Sequence, residues 1–114
     1  MDENNIPETL LDVNGYPTDE WLEFIKNYQP SDYLPLIKFV KKLLPKGWYF
    51  SDWGVVIHRI YKGKIKLELH TGGWSGNEEI IRAILSNKQF THFKMKYVKL
   101  TAGGHYYFEI AEDN

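Results

Sequence analysis

Three sets of residues have types and spacings that could do chemistry. The first is Thr71-Gly72-Gly73-Trp74-Ser75-Gly76-Asn77-Glu78. Glycine lets a ligand come close to backbone amides. A helix beginning in this segment would turn unpaired N–H groups and its positive dipole end toward an anion. Trp74 would give a base or another flat group a surface to stack on. Gly72, Gly73, Trp74, Ser75 and Asn77 are therefore candidate ligand contacts. The spacing is neither that of a Walker loop nor that of a dinucleotide fingerprint. A plainer reading competes. It makes the segment a tight strand-to-helix connection, with Ser75 as N-cap, Glu78 as its capping-box partner and Trp74 as a packed anchor.

The second set is Gly103-Gly104-His105-Tyr106-Tyr107. On a strand, His105 and Tyr107 share one face. With Arg59 and His70 on other strands, they would add polar contacts to the same ligand. The competing reading is an ordinary hairpin turn, since Gly-Gly is a common turn solution.

The third set is the histidines, His58, His70, His92 and His105. No two have the local spacing of a zinc motif, and surface histidines are the expectation. Neither a metal nor a cofactor is expected. Glu68, Glu78 and Glu109 could join His70 and His105 in acid–base work, yet nothing in the sequence sets two of them around a scissile bond. There is no nucleophile elbow and no cysteine. The residues favour binding over catalysis.

The elements that must position these groups follow from periodicity. Tyr16-Pro17-Thr18 starts a helix with Thr18 as N-cap and Asp19 and Glu20 in its first turn, where the dipole favours acids. Gln29-Pro30 ends it. Ser31 caps a second helix, whose apolar residues Leu36, Ile37, Val40, Leu43 and Leu44 recur at helical spacing until Pro45-Lys46-Gly47 stops it. Trp48 to Phe50 reads as a short strand. Val55 to Tyr61 and Lys64 to His70 read as a hairpin around Lys62-Gly63, and Ile65, Leu67 and Leu69 alternate with polar neighbours. A third helix follows the glycine segment, with Ile80, Ile81, Ile84 and Leu85 as its stripe and Asn87 at its close. Phe93 to Leu100 and His105 to Ile110 make a second hairpin. The order is α-α-β-β-β-α-β-β. It predicts an α+β fold with a mostly antiparallel sheet of about five strands and helices on one face.

The 114 residues suit a single domain, 1–114, with 1–14 a loosely ordered arm. Aromatic residues make up 16% of the chain, enough large side chains to build a core at this length. Met1 to Asn5 lacks the pattern of a signal peptide, and no apolar run is long enough to span a bilayer. A cytoplasmic location without membrane contact is the expectation. A net charge of −1 gives no general attraction to nucleic acid. The charge is uneven, however. Most acids lie in the first third, while Lys38, Lys41, Lys42, Lys46, Arg59, Lys62, Lys64 and Lys66 form a basic stretch.

Three segments, Asp12 to Glu20, Thr71 to Glu78 and Gly103 to Ile110, resemble a family of small uncharacterised bacteriophage and prophage proteins. The resemblance covers nearly the whole chain and transfers no catalytic residue. It implies an accessory role against host defences. Two forms of that role are open. One is a non-catalytic protein that binds an anionic small molecule, such as a nucleotide signal, at Gly72, Gly73, Trp74, Ser75, Asn77, Arg59, His70, His105 and Tyr107. The other is a protein-interaction module that inhibits a host defence protein or acts as an immunity protein. The acidic N-terminal third and the many aromatics motivate the second, and a homo-oligomer is compatible with either. A hydrolase or nuclease would rest only on scattered His and Glu.

Overall fold

The computed structural model describes residues 6–30, 33–60, 64–92, 95–101 and 103–111. Helix α1 (Asp19–Asn27) starts as the sequence predicts: the Thr18 hydroxyl accepts a hydrogen bond from the Trp21 N–H at 3.1 Å, and Asp19 and Glu20 occupy the first turn. Trp21 and Ile25 on its inner face are fully buried. Before it, residues 10–18 form a hydrogen-bonded loop. The Asp12 carboxylate accepts from the Asn14 and Tyr16 N–H groups, and Leu11 bridges Pro17.

Helix α2 (Tyr33–Lys38) does not continue to Pro45 as one α-helix. It rewinds into a π-helical turn, Phe39–Leu43, and then a 3-10 turn, Leu44–Gly47. The expected cap Ser31 and the Asp32 beside it lie outside the described residues. Pro45 has no N–H for an α-helical bond, so the winding must change near it. The Leu44 N–H bonds the Phe39 carbonyl, five residues back.

The expected strand at Trp48 to Phe50 does not form. Phe50 has φ 64°, in the left-handed region, and leads into a short helical turn, α3 (Ser51–Gly54). The backbone groups that a strand neighbour would have paired are satisfied by a side chain. Asn77 accepts from the Tyr49 N–H at 3.1 Å and donates to the Tyr49 carbonyl at 2.9 Å.

Among the described residues the sheet has four strands rather than the five expected: β1 (Val55–Ile60), β2 (Lys64–His70), β3 (Met95–Thr101) and β4 (His105–Ala111). Every pairing is antiparallel and the spatial order is β1-β2-β4-β3, so β2 and β4 are central. Tyr61, Lys62 and Gly63, expected between β1 and β2, lie outside the described residues. Helix α4 (Ser75–Ser86) follows β2, and a further short helix, α5 (Lys88–His92), was not expected from the sequence. The mixed α+β class stands.

Alternation along β2 sorts its two faces. Ile65, Leu67 and Leu69 are buried and join Phe108 and Ile110 of β4 in one core with Trp21, Leu36, Phe39, Ile80 and Ile84 of the helical segments. Burying such side chains contributes roughly 1.5–3 kcal/mol each. Asn87 ends α4 as expected and also ties it to α1. It is buried, and its amide donates to the Ile25 and Tyr28 carbonyls at 2.7 and 2.8 Å. The opposite sheet face carries Lys66, Glu68 and His70 beside His105 and Tyr107, all partly exposed.

Candidate functional site

The two glycine segments meet. The Thr71 N–H donates to the Gly104 carbonyl at 2.9 Å, and His70 stands opposite His105 in the β2–β4 register. The Thr71 hydroxyl donates to Glu78 Oε2 at 2.6 Å, and the Tyr106 hydroxyl donates to Glu78 Oε1 at 3.0 Å. One carboxylate thus joins the end of β2, the first turn of α4 and β4. A Cβ on Gly104 would run into the Thr71 hydroxyl, so only glycine fits under this knot.

This network corrects the expected capping box. Ser75 is already the first residue of α4 and makes no cap, because Trp74 holds the N-cap position without a side-chain bond. Glu78 is drawn instead to Thr71 and Tyr106. Asn77 is buried, with its amide spent on Tyr49 and Thr71.

Trp74 is an anchor. Its indole N–H donates to the Gly15 carbonyl at 3.0 Å, and its ring lies against Tyr16 at 4.6 Å and Tyr49 at 5.0 Å between centroids. The exposed stacking surface is elsewhere, at Phe50 and Trp53. Their rings are stacked at 5.7 Å with planes 16° apart, and they are 48% and 50% exposed. Gly72 lies directly against the Trp53 ring, with no room for a Cβ. Gly73 has nothing within 4 Å of where its Cβ would be, and both it and Gly103 are exposed. Exposed glycine backbone thus borders Trp53 at Gly72 and His105 at Gly103.

On the outer sheet face Glu68 is a hub. Its Oε1 lies 3.1 Å from His70 Nε2, its Oε2 lies 3.1 Å from His58 Nε2, and Lys66 Nζ is 3.7 Å away. His70 Nδ1 in turn lies 2.7 Å from His105 Nδ1. Tyr107 stands edge-on to His70 at 6.1 Å, with the Lys66 ammonium 5.3 Å from its ring centre. Partial burial pushes the Glu68 carboxyl up. The His70 hydrogen bond and the positive charges of Lys66, His58 and His70 outweigh that and hold it below the ordinary carboxylate range.

Of the residues singled out in the sequence, His70, His105 and Tyr107 come together, and Gly72 and Gly73 lie beside them through Thr71. Arg59 does not join them. It pairs with buried Ile65, which places it on the helix side of the sheet, away from His70. No group of three or more metal-binding side chains converges among the described residues. The His92 side chain lies outside the described residues. Sequence reasoning missed the hub role of Glu68, although strict alternation already placed it on the face of His70. Phe50 and Trp53 stand out in the sequence only as members, with Tyr49, of an aromatic cluster between two elements, where most aromatics are expected to be core.

No protein-family model, curated protein or solved structure matches the chain. No helix of the described residues is long and apolar enough to cross a membrane.

Proposed function

We propose that the protein is a non-catalytic binding protein for a ligand that combines a flat ring with an anionic group, a nucleotide being the simplest such molecule. The observation that carries this reading is the Phe50–Trp53 pair. Two large aromatics are left half in water, and Phe50 holds a left-handed backbone conformation that disfavours side chains of its kind. Stacking a base on an aromatic platform contributes roughly 1–3 kcal/mol. The Gly73 and Trp74 N–H groups are spent on Thr71, so what the turn offers a ligand is the exposed backbone surface of Gly72 and Gly73 beside Trp53. His105, beside Gly103, supplies a polar neighbour. The resemblance to phage proteins suggests a purpose, the sequestering of a nucleotide signal of host defence.

The test is a titration of tryptophan fluorescence with linear and cyclic nucleotides. Saturable quenching by one of them, weakened at least tenfold in Trp53→Ala, is expected. Silence across the panel, or equal binding by Trp53→Ala, would discard the reading.

A second reading has its own observation. Tyr16, Trp74, Tyr49, Phe50 and Trp53 form a continuous aromatic ribbon that ends in exposed rings, and Val13 near its other end is fully exposed. Such ribbons suit protein interfaces. On this reading the partner is a host defence protein. A single stoichiometric partner lost on Phe50→Ser would favour it over the nucleotide.

A further inference from the structure

A groove of about 490 Å³ lies along the irregular helix that follows Pro30. Its lining is mainly apolar, with Leu34, Phe39 and Leu43 among the contributors, and Lys38, Lys42 and Lys46 line it too. The lysines recur every four residues, and the change from α to π to 3-10 winding keeps all three on this groove. None of the described lining residues is acidic. Leu34 is 61% exposed, an apolar side chain left wet inside a concave, cationic site.

Size narrows the occupant. Clefts of roughly 300–1,000 Å³ with apolar walls and few polar groups hold small molecules, whereas a stable protein partner buries on the order of 1,000 Å² or more. Charge narrows it further. Apolar walls ask for a hydrocarbon body, and the ammonium groups of Lys42 and Lys46 on the same lining ask for an anionic head.

We propose that this groove binds a long-chain carboxylic acid, its tail along Leu34, Phe39 and Leu43 and its carboxylate at Lys42 and Lys46. The site is separate from the glycine turns, and the proposal does not depend on the nucleotide reading.

Calorimetric titration with dodecanoate, below its micelle concentration, tests it against dodecyltrimethylammonium, which has the same tail with the opposite charge. Dodecanoate binds one to one and the cation does not. Leu34→Glu abolishes binding, while Leu85→Glu, which alters a comparably exposed leucine outside the groove, leaves it intact. The double variant Lys42→Glu/Lys46→Glu weakens it by about ten- to a hundredfold, and it decides the matter if Leu34→Glu fails to fold. Absence of dodecanoate binding, equal binding of the cation, or indifference to the lysine reversals overturns the proposal. So does a dimer that dissociates on Leu34→Glu, since the groove would then be filled by a second copy of the chain.

Discussion

His70 Nδ1 and His105 Nδ1 stand 2.7 Å apart across the two central strands, so the two imidazoles form one hydrogen bond with a single proton between them. Glu68 sets its direction. An ionised carboxylate only accepts, so with both rings neutral His70 donates from Nε2 and its Nδ1 is left as an acceptor. His105 must then donate from Nδ1, which leaves Nε2 as a lone pair beside Gly103.

Long-range nitrogen–proton NMR at a pH where both rings are neutral should find His70 as the Nε2–H tautomer and His105 as the Nδ1–H tautomer. Glu68→Gln should blur that assignment, because an amide can donate as well as accept. The reverse tautomers in the unaltered protein would show that Glu68 does not direct the relay.

The lowered Glu68 carboxyl fixes the sign of an acid effect. A group with a depressed folded-state pKa stabilises fully above its unfolded value and loses that contribution as pH falls through the folded value. The melting temperature should therefore drop more steeply in acid for the unaltered protein than for Glu68→Gln, and the curves should converge at the acid end. Melts taken in parallel across that range check this. Parallel curves would mean that Glu68 is not held low.

Glycines in the two turns should differ sharply in tolerance. Gly104→Ala drives a methyl into the Thr71 hydroxyl and toward Glu78 at φ +81°, and a loss of roughly 3–5 kcal/mol is expected. Gly73→Ala meets open space and carries only the left-handed backbone cost, about 1–2 kcal/mol. Urea unfolding of both variants measures the gap. Equal losses would argue that the Thr71–Glu78 knot is not closely packed against Gly104.

The tryptophans should separate stability from binding. Trp74→Ala removes an indole that bonds Gly15 and packs between Tyr16 and Tyr49, a loss of roughly 3 kcal/mol. Trp53→Ala removes a half-exposed ring and should cost about 1 kcal/mol or less. Thermal melts should rank them in that order. A Trp53→Ala variant that unfolds like Trp74→Ala would make Trp53 a structural residue and remove the platform from the proposed site.

Regular elements were legible because local chemistry and the final fold agree there. Thr18 caps α1, the alternation of Ile65, Leu67 and Leu69 gives β2 and its faces, and Asn87 ends α4. The failures share a cause. At Trp48 to Phe50 the residues favour a strand, but a distant amide, Asn77, takes the pairing role, and nothing near Tyr49 announces it. At Ser75 the spacing is that of a capping box, yet Glu78 finds Thr71 and Tyr106 through contacts made only in the fold. The site was half visible. His70, His105, Tyr107, Gly72 and Gly73 could be named by type, but that Trp74 is an anchor depends on where residues 15 and 16 lie, and that Trp53 lies against Gly72 depends on the turn at Phe50.

The strand order also shapes how the chain reaches its native state. β4 is interior, yet it comes last among the described strands, so β2 keeps an open edge until residues 105–111 have been made. Phe108 and Ile110 are absent from the core until then. Closing the sheet is a late, long-range event, which slows folding relative to helix formation. A chain halted on the ribosome after β3 would hold the β1–β2 hairpin with one edge unpaired, the state most apt to stick to a neighbouring nascent chain.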